Sequence, residues 1–487
     1  MSLLRRWFGT FRLAYLPILV TYFAYGASGV TGIALIFFQK DALGITPAEA
    51  AGIAFWAALP WSIKMVVGVA SDVHPIFGSR RASYLILGAL CSLAGYAYLA
   101  RMVSGKGGFL IAMVVVAVGF MVQDVVADAL SVEVADTDEE IAQVQTLGRI
   151  ALLGGSISAG GYAGGWLAGA IGPRGVFALA MVLPALVIAG ACFIRPGARG
   201  RAGAVAALHV EDPTGPLGSG RARLVLLVGL GYAALSVLLE VLHVPFSQEL
   251  ILLISGILIG LLLRRIGISR SVAVAAFAIF CFRAVPGVGQ GFSYWAIDRL
   301  RFDEEFLGVL SQVSSVLSLV GLVLFRKPIT KRPVSWTLFW VTVLGSVLYL
   351  PTIGLFYGAN EWIGVSPRTF AFIDTTIAAP LGQLSMVPML VLIAKTAPKG
   401  AEATMFAIMA SLMNLALSAS ELFTRYLNTT FAVTQQDYSN LGRLMIAIGL
   451  IGLLPLLVLP LLRREERLPA PAVESAAAAA PTGGSAL

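Results

Sequence analysis

Charge is what this chain has least of: 12% of its 487 residues are Asp, Glu, Lys or Arg, against 58% that are hydrophobic. A soluble domain carries about 25% charge, so water is excluded as the main solvent, and with it both a soluble enzyme and a disordered chain. Cysteine is nearly missing. Cys91, Cys192 and Cys281 all lie in apolar stretches, are odd in number and form no C-x-x-C pair, which excludes a disulfide framework and a cysteine zinc site. Histidine is as rare, with His74, His209 and His243 far apart. Neither H-E-x-x-H, G-x-S-x-G nor a G-x-x-x-x-G-K-[ST] phosphate loop is present, so zinc hydrolysis, lipase-type chemistry and ATP-driven pumping are not expected of this chain. No enzyme activity, cofactor or metal is expected, and the mean hydropathy of +0.87 fits residence in lipid.

What fills the chain instead is a series of long apolar runs bounded by charge, Pro and Gly. At roughly 20 residues per crossing they predict fourteen helices. Six run at about 13–38, 48–70, 82–100, 109–135, 142–171 and 175–194; two shorter ones follow at about 223–243 and 248–263; six more run at about 271–297, 305–325, 334–357, 369–394, 402–430 and 441–462. Residues 195–222 are rich in Gly, Pro and Arg and read as a linker, and the Ala/Pro-rich tail 463–487 reads as disordered. Arg5, Arg6 and Arg12 precede a run too long for a signal peptide, with no convincing small-residue cleavage site, and so flank a first span.

With the N-terminus inside, 22 of the 34 Lys and Arg fall in predicted cytoplasmic segments and seven in outside loops. That bias is positive-inside topology, so the net charge of +8 gives no reason to expect nucleic acid. The expectation is a multi-pass protein of a cell membrane, of the bacterial inner-membrane type, with both termini cytoplasmic. Six spans, a linker, a two-helix insert and six spans again suggest a duplicated bundle of the major facilitator kind. The boundaries are 1–194 for the N-terminal bundle, 195–222 for the linker, 223–270 for the insert, 271–462 for the C-terminal bundle and 463–487 for the tail. In that architecture every third core helix faces lipid. Core helices three, six and nine carry no charge, and helix twelve has only Arg443 at its edge.

An ionisable group at membrane depth is costly unless paired or hydrated, which makes each one a functional candidate. At 100° per residue, Asp124, Asp128 and Ser131 share a face of about 60° on core helix four, with Glu133 pointing away. Gln145, Arg149 and Ser156 share a face of helix five at a depth that lets Arg149 pair with Asp128, as a structural bridge or as substrate and proton machinery. Asp124, nearer the midplane and without an obvious local partner, is the stronger coupling candidate. Helix seven aligns Arg283, Gly287, Gln290, Tyr294 and Asp298, with Pro286 and glycines loosening its middle. Helix one aligns Tyr15, Tyr22, Tyr25, Gly26 and Gly29, a pattern that packing alone also produces. Arg283, near the midplane, suits an anionic substrate because a guanidinium fork matches a carboxylate. Helix eleven places Thr404, Ser411, Asn414, Ser418, Glu421 and Arg425 on one stripe; Glu421 and Arg425 at i and i+4 are read as neutralising each other, and Asn414 as a pathway residue. Gly161, Gly165 and Gly169 read as a close helix contact.

Residues 60 to 85, PWSIKMVVGVASDVHPIFGSRRASYL, resemble the facilitator gate loop, with the longer spacing W-x-x-K, G-x-x-S-D-x-x-P-I-x-G-x-R-R-x-x-Y of the folate-biopterin transporter family. The resemblance continues through QDVVADALSVE (123 to 133), QTLGRIALLGGSISAGG (145 to 161), RAVPGVGQGFSYWAIDRLRFDEEFLGVL (283 to 310) and APKGAEATMFAIMASLMNLALS (397 to 418). It implies a secondary transporter of folates or reduced pterins driven by proton symport. Lys64, Asp124, Asp128, Arg149 and Asn414 fall on family motif positions, and Asp72, Gly78, Arg80 and Arg81 on the cytoplasmic gate. Met65 departs from the family's usual Pro, and Ser79 from its usual aromatic. A folate needs stacking surface, amide-type hydrogen bonds and cations for its carboxylates. Tyr22, Tyr25, Tyr294 and Trp295 are the stacking candidates, Gln290 and Asn414 the ring-edge readers, and Arg283 with Lys64 the cations. Protons and the bilayer are the other expected partners. The alternative is a pigment or lipid delivery and assembly role, as in the bacteriochlorophyll delivery proteins that share this fold and a similar gate loop.

Overall fold

A computed structural model describes residues 12–194, 219–266, 269–382, 384–396 and 402–467. Most of the linker, 195–218, and the tail from 468 lie outside the described residues, as does the side chain of Thr404. Among the described residues the secondary structure is helical apart from one isolated bridge, Ile76 to Ser79. Among the described residues twelve helices are long and apolar enough to cross a membrane; one is bent into two limbs, and an interrupted helix outside that count brings the numbered elements to fourteen.

The crossings, numbered in chain order, begin with α1 (Leu13–Ala42), α2 (Pro47–Val73), α3 (Ala82–Arg101) and α4 (Lys106–Glu133). The rod Glu139–Ala191 is next, bent where Gly172 adopts φ +69° ahead of Pro173; its limbs 139–171 and 173–191 are α5 and α6. The insert is α7 (Arg223–Val241) and α8 (Ser247–Arg264). α9 is interrupted, running Arg270–Arg283 and Gln290–Leu300, too short in either piece to span by itself. α10 (Glu304–Phe325), α11 (Val334–Phe356), α12 (Pro367–Ile393), α13 (Met405–Thr430) and α14 (Leu441–Arg467) complete the chain. The last helix continues to Arg467, so the expected tail begins with five helical residues.

Local chemistry sets the turning points. Thr46 and Glu49 form a reciprocal capping box at α2, and Thr137, Ser269, Asp303 and Ser366 accept backbone N–H bonds at the starts of α5, α9, α10 and α12. Each such cap contributes about 1 kcal/mol and marks where a span begins. α3, α6, α11 and α14 turn Leu90, Leu186, Trp340 and Leu457 outward. These are the helices expected to face lipid, but α10, not among them, turns Val323 and Leu324 outward as well.

We call the end carrying Arg12, Asp72–Arg81 and Glu465 the proximal face and the other the distal face. The first and second halves meet along α2 with α13 and α5 with α10. The glycine row makes the second contact possible: a Cβ on Gly165 would lie 2.7 Å from Gly308 Cα, whereas one on Gly169 would meet nothing within 4 Å. Polar ties between the halves gather distally. Lys40 Nζ lies 2.6 Å from Asp298, Tyr162 donates to Glu305 at 3.1 Å, and Gln435 donates to the Ile45 carbonyl at 2.8 Å. Proximally, the ion pairs Arg12–Asp136, Arg12–Glu140, Arg81–Glu133 and Arg270–Glu465 each stay within one half.

Candidate functional site

α1, α2, α4 and α5 bring most of the expected polar residues of the first half together. Lys64 Nζ on α2 is 3.5 Å from Asp124 Oδ2 on α4, with side chains 28% and 11% exposed. Asp124 therefore has a partner, contrary to the expectation from its own helix, because the partner comes from a different helix. Tyr22 donates its hydroxyl to Asp128, and the Arg149 guanidinium lies over the Tyr22 ring, 5.7 Å from its centre. Asp128 and Arg149 thus meet at Tyr22, and among the described ion pairs none joins them directly. Tyr22 is held by close packing: a Cβ on Gly148 would come within 2.7 Å of its ring, and one on Gly26 within 1.9 Å of the Leu152 carbonyl. The tight α1–α5 seam explains why both positions are glycine. Its ring is buried, so in this state Tyr22 supplies a hydroxyl and a cation–π face rather than a free stacking surface.

Tyr25 stacks on Trp61, with ring centres 5.6 Å apart and planes 27° from parallel. Asn414 on α13 donates to the Trp61 carbonyl at 3.0 Å, crossing from the second half to the first. Trp61 is the residue sequence reasoning missed here. Its signal was its place three residues before Lys64, which puts both on one side of the helix.

The second half contributes the interruption in α9. The backbone between Ala284 and Gly289 leaves the helix, and Gly289 takes φ +62°. Inside a membrane such freed groups need protein partners. α13 supplies them at helical spacing: Ser420 Oγ donates to the Val285 carbonyl at 2.6 Å, Thr424 Oγ1 accepts from Gly287 N at 2.9 Å, and Asn428 Nδ2 donates to the Val288 carbonyl at 3.2 Å. Arg283 stands at the lip of this break, half-buried, its Nε without a hydrogen-bond partner, and no described ion pair includes it. Gln290 Oε1 and the Tyr294 hydroxyl are likewise buried without partners. Tyr294 and Trp295 are packed into a core cluster with Phe302 and Leu441. The break thus brings Arg283, Gln290 and Tyr294 into one segment but leaves Tyr294 without an open ring face. Glu421 and Arg425 form no described ion pair; Arg425 instead donates to Gln248 of the insert at 2.9 Å, and Gln248 donates to the Gly52 carbonyl at 3.0 Å.

Of the residues expected at a gate, Asp72 meets Arg81, which is buried. Its guanidinium lies 2.5 Å from Asp72 and 2.7 Å from Glu133, and donates to Ser71 Oγ at 2.6 Å. Burial works against its charge, but Glu133 and Asp72 more than offset it, raising its pKa. Glu133, spaced half a turn from Asp124 on α4, pairs with Arg81. Gly78 closes the turn with φ +75° beside half-buried Arg80, a conformation glycine adopts without strain. At the opposite end, Lys40 is 9% exposed between Asp41 and Asp298, and Tyr438 donates to Asp298 at 2.6 Å. This distal lock escaped sequence reasoning because Lys40 reads as a loop cation.

Described residues that are helical apart from one bridge, with twelve helices of membrane length, define a polytopic membrane protein of the major facilitator fold. Solved transporters share that fold: a POT family transporter in complex with 5-aminolevulinic acid superposes with a TM-score of 0.70 at 17% identity, covering 95% of this chain and 98% of the other. A nucleoside transporter superposes at 0.60 with 9% identity, covering 93% of this chain and 100% of the other. The chain belongs to the BT1 family, whose profile matches residues 26–476. It is 32% identical to a folate-biopterin transporter of Synechocystis sp., over 92% of this chain and 81% of the relative. It is 23% identical to a probable folate-biopterin transporter 2 of Arabidopsis thaliana (91% and 81%) and 20% identical to folate transporter 1 of Plasmodium falciparum (90% and 77%).

Proposed function

We propose that this protein is a secondary transporter of folate- or pterin-like organic anions, working by alternating access with proton symport. The observation that carries the reading is the Lys64–Asp124 pair, 3.5 Å apart, beside the Tyr22–Asp128 bond and the Arg149 guanidinium. A carboxylate that takes a proton releases the cation it was holding. Lys64 is then available to a substrate carboxylate, with Arg283 as the second cation across the interior and the Tyr25–Trp61 stack and Asn414 as ring-recognition groups. Substrate departure and loss of the proton restore the pair, so cargo and proton travel together.

Distal ties through Lys40–Asp298 and proximal ion pairs confined to single halves support a state closed distally and open proximally. The proximal face is cytoplasmic in this reading, which also places both termini there and divides the chain into bundles at 1–194 and 271–462 around the insert. The names of the BT1 relatives support the cargo class.

Purified protein in proteoliposomes, given labelled folate with and without an inward proton gradient, tests the reading. Saturable uptake stimulated by the gradient and abolished in Asp124→Asn is expected. Uptake indifferent to the gradient removes symport, and no accumulation of any folate or pterin removes the cargo class in favour of a delivery or assembly role.

A further inference from the structure

A cavity of about 390 Å³ lies away from the polar interior, between the insert and the seam of the two halves. That is within the roughly 300–1,000 Å³ of small-molecule sites. Its walls are apolar: Met65 and Val66 of α2, Leu224 and Val228 of α7, Leu258 of α8 and Ile408 of α13. The polar groups that reach it offer little to a polar solute. The Tyr232 hydroxyl and Ser255 Oγ satisfy each other at 2.6 Å, and Ser62 and Ser411 add one hydroxyl each, that of Ser62 unpartnered. At the proximal mouth the chemistry reverses. Arg223 directly precedes the wall residue Leu224, Arg264 follows the wall residue Leu262 by two positions, and both arginines are exposed. They stand on the two helices of the insert, at the proximal ends of its runs of lining residues.

We infer that this crevice binds an anionic phospholipid of the proximal leaflet, one acyl chain between the insert and the α2–α13 seam and its phosphate on Arg223 and Arg264. An apolar slot in a membrane protein excludes water and fills from the lipid phase, and basic residues at the leaflet surface select negative headgroups. The insert then has a task of its own. It holds a lipid against both halves at once, since Met65 belongs to the first and Ile408 to the second. The inference does not rest on the cargo reading, because it uses none of Lys64, Asp124, Arg283 and Asn414.

Photolabelling tests it. The full-length protein is reconstituted with phosphatidylglycerol or phosphatidylcholine carrying a diazirine on the acyl chain, irradiated, and the labelled peptides are mapped by mass spectrometry. Phosphatidylglycerol is expected to label residues 224–232 and 258–262 preferentially, with the preference falling about fivefold for each of Arg223→Gln and Arg264→Gln. Val228→Trp, which fills the crevice, is expected to remove that labelling, whereas Val237→Trp on the exposed side of the same helix leaves it intact. Monodisperse elution and unchanged melting identify folded variants. Equal labelling by the two lipids, or labelling that survives Val228→Trp, overturns the inference.

Discussion

Lys64 and Asp124 face each other across α2 and α4 at 3.5 Å, with side chains 28% and 11% exposed. Removing one partner of a poorly solvated pair strands the other, at a cost of about 3–5 kcal/mol when burial is complete and less here, where Lys64 keeps contact with water. Lys64→Met and Asp124→Asn are each expected to lower the melting temperature of the purified protein. The double variant should recover most of the loss while remaining inactive in uptake. Additive destabilisation in the double variant would contradict a direct pair.

Arg283 is held at the lip of the α9 break with an unpartnered Nε. Replacing it by Ala should leave abundance and melting nearly unchanged, because no partner is orphaned, while reducing anion uptake at least tenfold. Lys at this position restores the charge but not the fork and should recover only part of the activity. Normal uptake by an Ala variant of normal abundance would remove Arg283 from the substrate site.

Asp298 receives both Lys40 and Tyr438 at the distal face. If these contacts hold the proposed distal closure, Asp298→Asn should raise the labelling of a cysteine placed at Ser28, three residues beyond Tyr25 on α1, by a membrane-impermeant thiol reagent. Labelling as slow as in the parent would show that the lock does not hold the distal side shut.

Arg81 joins Asp72, Glu133 and Ser71 with one guanidinium. Arg81→Lys cannot reproduce three directed contacts, and a loss of about 1–3 kcal/mol is expected from the charge-assisted bonds it forfeits. Thermal melting reads this directly, and Glu133→Gln should show a smaller loss of the same sign.

Asp303 lies outside the spans, capping α10 and pairing with Arg368 at 2.6 Å. Burial pushes its pKa up, but the Arg368 and Phe306 N–H bonds pull it further down, so the folded value lies below the usual one. Its contribution is therefore complete above the unfolded value of about 3.9 and fades as pH falls through the lowered folded value. Asp303→Asn should narrow the drop in melting temperature between pH 6 and pH 3. An identical drop in parent and variant would show that the pair carries no pH-dependent stability.

The apolar helices were legible in the sequence because hydropathy and the 3.6-residue period are properties of one segment at a time, whereas Ser420, Thr424 and Asn428 of α13 fell outside the expected stripe. The boundary between the spans ending near 171 and starting near 175 was legible too, and so was the looseness of α9 around Pro286. Pairing was another matter. Asp124 looked partnerless, Arg149 looked matched to Asp128, and Glu421 looked matched to Arg425, each judged along one helix or between adjacent ones.

The tertiary structure decided these matters by choosing which helices touch and how each is rotated about its axis. It set Lys64 against Asp124, placed Arg149 over Tyr22, sent Glu133 to Arg81, and tied Arg425 to Gln248 of the insert. It also let α13 satisfy the broken backbone of α9. By itself the sequence determined the solvent and the depth of each charge, since those follow from composition and order along the chain. Only the packed bundle decided each charge's partner, because a side chain on one helix meets another helix through space, at a separation in sequence that no local period encodes.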